Sequence, residues 1–140
     1  MTIGKLSSDE ATKVLSKGTL GRLGCIADGE PYVVPVHYFF DGQSIWIHSL
    51  SGKKITALRA NNRACLQVDD IQDSYHWRSV IAYGNYEEVS DEQLREHALA
   101  ELFRRVPNLT PVESKMTLGL RETIVFCLRV DQITGVGESW

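Results

Sequence analysis

The sequence predicts a mostly β fold with peripheral helices: a small barrel, six-stranded and mainly antiparallel. Three observations support this. Six segments alternate apolar and polar residues or carry β-branched runs, the period of a half-buried strand. Asp28-Gly29 and Asp41-Gly42 are tight-turn dipeptides that join neighbouring strands directly. Only three stretches of any length have a helical period. A doubly wound parallel sheet is excluded, because its strands would need helical crossovers where this chain has turns. The 140 residues fit a single domain, 1–140, large enough to build a core without covalent staples.

The elements follow in order. Ser7 and Glu10 have capping-box spacing, Ala11, Val14 and Leu15 make one apolar face, and Gly18 ends this first helix in a left-handed turn. Strands are expected over Leu20–Ala27, Tyr32–Phe40 and Ser44–Ser49. A helix runs from roughly Lys53 to Ala60 and closes at Asn61-Asn62. Ala64, Leu66 and Val68 mark a fourth strand, a polar loop spans Asp70 to His76, and a long fifth strand spans Trp77 to Val89. Ser90 with Gln93 forms a second capping box, opening a helix with Leu94, Ala98 and Leu102 on one face. Pro107 and Pro111 bracket a loop, and Met116 and Leu118 belong to a short helical turn. Ile124, Phe126, Leu128 and Val130 form the last strand.

Composition narrows the function. The formal charge of −3 is not that of a general nucleic-acid binder, which leaves only a local basic patch open. No apolar run approaches the roughly 20 residues of a membrane span, and the first residues lead into no signal-peptide core. Cys25, Cys65 and Cys127 are odd in number and form no Cys-x-x-Cys pair, so neither a disulfide framework nor a thiolate metal site is expected, and the chain suits the reducing cytoplasm. The four histidines have no metal-ligand spacing. His37, near the expected ligand edge, fits a proton donor or an ordinary strand side chain.

The chemically informative segment is Ile47-His48-Ser49-Leu50-Ser51-Gly52-Lys53-Lys54, which runs off a strand into a helix. Two lysines at a helix N-terminus oppose the helix dipole, and a bound anion reverses that penalty. The spacing fits a phosphate or carboxylate pocket; it also fits two solvated lysines on a surface turn. If Asp41-Gly42 is a two-residue turn, Val34 lies opposite Ser49 and Pro35 opposite His48. Pro35 donates no ladder hydrogen bond, which leaves either backbone free to face a planar polar ligand or an ordinary strand edge.

Gly21-Arg22-Leu23-Gly24, Pro31-Tyr32-Val33-Val34-Pro35-Val36, His48-Ser49 with Gly52-Lys53-Lys54, and Trp77-Arg78-Ser79-Val80-Ile81-Ala82-Tyr83-Gly84 occur in a familiar order. With Ile133-Thr134-Gly135 as a closing strand, nearly the whole chain resembles the FMN-binding split β-barrel superfamily. It is most similar to pyridoxamine 5′-phosphate oxidase-like proteins of the nitroimidazole-resistance type. The resemblance implies a flavoprotein homodimer with FMN at the subunit interface and a small-molecule electron donor or acceptor. It places the backbone of Val34, Pro35 and Val36 against the flavin ring, and His48 and Ser49 along the ring and ribityl chain. Lys53 and Lys54 take the phosphate, and Ser79 contacts the flavin. An FMN-dependent oxidoreductase, nitroreductase-like, is one expectation; a non-catalytic flavin-binding, haem-binding or F420-binding protein on the same scaffold is the other. No catalytic residue is singled out. True pyridoxamine-phosphate oxidases carry a basic C-terminal segment, whereas this sequence closes on Gly135-Val136-Gly137-Glu138-Ser139-Trp140, so that activity is not expected.

Overall fold

The computed structural model describes residues 2–105 and 123–139. In chain order these form β1 (Thr2–Lys5), α1 (Ser8–Lys17), β2 (Leu20–Ala27), β3 (Glu30–His37), β4 (Phe39–Phe40) and β5 (Ser44–Ser49). They continue with α2 (Lys53–Ala60), β6 (Arg63–Asp73), β7 (His76–Glu88), α3 (Glu92–Arg105) and β8 (Ile124–Ser139). The sheet has eight strands rather than six, in the order β3-β2-β6-β7-β8-β5-β4, with β1 added on β8. Every pairing is antiparallel. His37 and Phe39 lie on opposite edges of that order yet are separated by one residue, so the sheet must curl until its edges meet. The result is a split β-barrel.

The two additional strands have different origins. β1 is defined by its partner, Thr2 facing Ser139 through Lys5 facing Val136, and has too little periodicity of its own to be seen. The expected strand Tyr32–Phe40 breaks at Tyr38, whose hydroxyl turns into the core and donates to the Leu15 carbonyl at 2.6 Å. The chain thereby leaves β2 and pairs with β5 through Phe39 and Phe40.

Local chemistry explains most of the remaining elements. The Ser7–Glu10 capping box of α1 forms in both directions, at 3.1 Å each way. Gly18 follows the helix, but with φ −68 and not in a left-handed turn. It is required for another reason: a Cβ there would meet the Tyr38 hydroxyl at 2.3 Å. The loop expected over Asp70–His76 is instead a hairpin, with β6 extending to Asp73 and β7 starting at His76. Asp73 stabilises its tip by accepting from the Tyr75 N–H at 2.7 Å. Its polar residues mimic a loop because both faces there meet solvent. Asp91 and not Ser90 caps α3, accepting from the Leu94 N–H at 2.9 Å, since a carboxylate also answers the helix dipole. Leu94 is exposed, and Ala98, Leu99 and Leu102 form the buried face. The readings at Pro107, Pro111, Met116, Leu118 and Trp140 lie outside the described residues.

Leu15, Leu23, Ile45, Ile47, Leu58, Leu66, Val80 and Phe126 fill the barrel, and α3 covers a second cluster with Phe39 and Val125. The register of β7 on β8 shifts between Tyr83 and Gly84, leaving Asp131 as the extra residue of a bulge. Gly84 is needed at that bulge, because a Cβ would stand 2.4 Å from the Arg129 carbonyl oxygen.

Candidate functional site

The N-terminus of α2 lies where β5 leaves the barrel. Gly52 is its N-cap, no side chain caps its first N–H groups, and its first turn has no acidic residue. A Cβ on Gly52 would meet nothing within 4 Å, so open space adjoins these donors. Lys54 is half-buried, and its ammonium donates to Ser49 Oγ at 2.7 Å. The Ser49 hydroxyl in turn donates to the Leu50 carbonyl at 2.8 Å, so Ser49 presents its lone pairs to the lysine. Burial lowers the Lys54 pKa from the ordinary 10.5, partly opposed by the nearby Cys25. Lys53 is exposed, its ammonium 4.8 Å from the centroid of the Tyr32 ring on β3. Among the described residues neither lysine has a carboxylate within ion-pair distance. A half-buried cation answered only by a neutral hydroxyl, beside uncapped N–H groups, fits an anion such as a phosphate.

His48 takes the other face of β5, as alternation along a strand requires. Its ring centroid is 5.2 Å from that of Phe103 on α3, and its Nδ1 is 3.4 Å from Thr123 Oγ1. Arg95 fixes Thr123 by donating to its carbonyl at 2.6 Å. The structure therefore groups Ser49, Lys53 and Lys54, and seats His48 under α3.

Val34, Pro35 and Val36 pair with Leu23, Arg22 and Gly21, and not with Ser49 and His48. The two-residue turn does not form. Asp41 closes a wider loop by accepting from the N–H groups of Gln43 at 2.8 Å and Ser44 at 2.7 Å, so Phe40 faces Ile45. β3 is left at the sheet edge, where Pro31 and Pro35 are tolerated. Tyr32 ties that edge to Lys53.

Ser79 alternates with buried Val80 and lies on the outer face of β7, three strands from β3 counted along the sheet. Its hydroxyl accepts from Gln67 Nε2 at 3.0 Å, within a network with Asp69 and Arg22. Arg22 is the strand neighbour of Pro35. On the same face a groove of about 350 Å³ is lined by Gly24, Ile26, Pro31, Val33, Cys65 and Tyr83, with Arg63 at its margin. Burial raises the thiol pKa of Cys25, Cys65 and Cys127, keeping them protonated. Tyr32, Thr123 and the Arg22–Gln67–Asp69 group touch the candidate residues and were not singled out by the sequence pattern. Strand parity would have put Arg22, Gln67, Asp69 and Ser79 on one face had the β2–β6–β7 pairing been known.

Among the described residues no group of His, Cys, Asp and Glu could hold a metal and no helix is long and apolar enough to cross a membrane. The fold and the lysine-lined strand end define a small split-barrel protein. Residues 7–136 match the family described as pyridoxamine 5′-phosphate oxidase, and the chain belongs to that family. An uncharacterized Rhizobium meliloti protein is 32% identical over 145 residues, spanning 96% of this chain and 95% of its own. A FAD-binding protein from Mesorhizobium loti is 33% identical with a TM-score of 0.82, over 99% of this chain and 100% of that one. A Bacteroides thetaiotaomicron protein named for 5-nitroimidazole antibiotic resistance shares the fold, with a TM-score of 0.76 at 20% identity over 98% of this chain and 89% of that one.

Proposed function

We propose that the chain is a flavoprotein that binds FMN and, as a homodimer, reduces a small acceptor. The observation that carries this reading is Lys54: a half-buried ammonium held by Ser49 with no carboxylate partner among the described residues, at the open N-terminus of α2. Lys53 and Lys54 hold the phosphate, Ser49 fixes the Lys54 ammonium, and the edge backbone of Val34, Pro35 and Val36 borders the ring. FMN, when bound, supplies the transfer of an electron pair between a donor and a small flat acceptor. The protein's part is to bind, orient and exclude water, and its protonated thiols offer no competing nucleophile.

The homodimer reading is supported by one feature. Ile26 and Val33 are exposed around the outer groove, 40% and 64% respectively, a surface that a second copy would cover. FAD is a second reading, favoured by the similarity to the Mesorhizobium loti FAD-binding protein. It carries the riboflavin 5′-phosphate as a singly charged diester, so the lysines would still face an anion there.

The test is an absorbance spectrum of the purified protein followed by titration of the flavin-free chain with FMN, FAD and riboflavin. FMN and FAD should bind far more tightly than riboflavin, and the tighter of the two identifies the cofactor. A Soret band, or retention of a deazaflavin in place of flavin, would overturn the reading. Turnover is read with reduced nicotinamide nucleotides and nitro or quinone acceptors. Pyridoxamine phosphate should not bleach the flavin anaerobically, because Arg63 at the groove is already held by both Asp131 oxygens at 2.6 and 3.0 Å. Rapid, saturable bleaching would make the chain a pyridoxamine-phosphate oxidase. Flavin binding without turnover by any donor would make it a binding protein.

A further inference from the structure

Residues directly opposite on paired strands share a face, so the register places Ile3, Leu20, Ile26, Val33, Ile71 and Val136 together on the outer face of the sheet. They are six of the nine exposed large apolar side chains among the described residues, so exposed apolar surface is concentrated on this one face. Such a concentration marks an interaction surface.

An ion pair lies in the middle of it. Arg22 Nη1 on β2 donates to Asp69 Oδ2 at 2.9 Å and to Gln67 Oε1 at 3.4 Å, both on β6. Gln67 Nε2 donates to the same Asp69 oxygen at 3.1 Å. The pair is balanced in charge but only partly bonded. Among the described residues Arg22 Nε and Nη2 have no acceptor, and Asp69 Oδ1 has no donor. Water serves these atoms while the face is open, since the two side chains are 47% and 24% exposed. A wholly apolar partner would strand them without hydrogen bonds. The occupant must therefore bring an acceptor for Arg22 and a donor for Asp69, set within an apolar surface. A second copy of this chain brings both, because in a two-fold contact each copy receives what it gives.

We infer that Arg22 and Asp69 set the register of the homodimer, each Arg22 pairing across the two-fold axis with the partner's Asp69 while keeping its own. This rests on the homodimer reading above and adds to it the residues that reject other partners and shifted alignments. The apolar side chains supply contact area but slide easily past one another. Four charges of alternating sign fix where the two faces meet, since any shift leaves like charges adjacent or a charge buried alone.

The experiment is a charge swap in the full chain. Arg22→Glu puts two acids on each face and Asp69→Arg puts two cations there, so each variant repels its own copy. Each should raise the dimer dissociation constant by about 100-fold or more, read by light scattering over a dilution series. An equimolar mixture of R22E and D69R should form the heterodimer, identified by native mass spectrometry, because acid then meets cation across the axis. Mixing leaves the clash inside each chain in place, so a pair that acts only within one chain is not rescued. If circular dichroism shows that either reversed chain does not fold, R22Q and D69N are used in the same way, with a loss of about tenfold each and recovery in the mixture. Variants that associate like wild type, or a mixture no more associated than its components, overturn the register and leave the homodimer standing. A monomeric wild-type chain overturns both.

Discussion

The Lys54 ammonium donates to Ser49 Oγ at 2.7 Å across the junction of β5 and α2, and among the described residues no acid shares the contact. Within those residues the lysine is a pre-positioned cation answered by a neutral hydroxyl. Its backbone sits in the first turn of an eight-residue helix whose N–H groups are also free of side-chain caps.

Replacing both lysines with glutamate should weaken FMN by roughly 100-fold or more, since charge-assisted hydrogen bonds contribute about 1.5–3 kcal/mol each. Riboflavin, which has no phosphate, should lose far less. Lys54→Glu alone should cost more than Lys53→Glu, because Lys53 is exposed and screened by solvent. Fluorescence titrations with the two flavins check this, and equal losses would remove the phosphate from this end of the barrel.

The affinity should also depend on pH in a stated direction. Binding the phosphate requires Lys54 protonated, and burial already lowers its pKa below 10.5. As pH rises through that lowered value the free protein gives up the proton, and FMN affinity falls before an exposed lysine would titrate. On the acid side, affinity should rise through about pH 6 as the phosphate gains its second charge. Riboflavin titrated over the same range should show neither limb.

Ile26→Asp should place a charge in the outer groove, split the proposed dimer and lower FMN affinity with Lys53 and Lys54 untouched. Light scattering and flavin titration on the same sample read both effects. A wild-type monomer that binds FMN stoichiometrically would show that one chain suffices.

The Gly18–Tyr38 contact predicts a stability effect remote from the flavin. Gly18→Ala forces a Cβ against the Tyr38 hydroxyl and should cost about 1–3 kcal/mol, as overpacking of a core does. Tyr38→Phe removes the donor to Leu15 and should cost about 1–2 kcal/mol by leaving a helix-end carbonyl buried without it. Urea denaturation should show lower midpoints at unchanged slope, and a double variant should fall short of the sum because the two changes share one contact.

The sequence by itself determined what is set within a few residues. The Ser7–Glu10 box, the limits of β2, β5 and α2, and the lysine pair after Gly52 are all there, because caps, turns and alternation are local. The split-barrel class and family were also legible, from the order of short segments along the whole chain. Tertiary structure decided the rest. β1 exists through β8, and Tyr38 divides a continuous apolar strand because the Leu15 carbonyl needs its hydroxyl. The Asp41 carboxylate widens a loop and moves Val34 and Pro35 away from Ser49 and His48. Arg22 meets Asp69 across 47 residues of sequence, and only the pairing of β2 with β6 makes them neighbours. The Asp41 turn is local, but the β1–β8, Tyr38–Leu15 and Arg22–Asp69 contacts depend on which elements the closing sheet brings side by side, and no short window along the chain holds both partners.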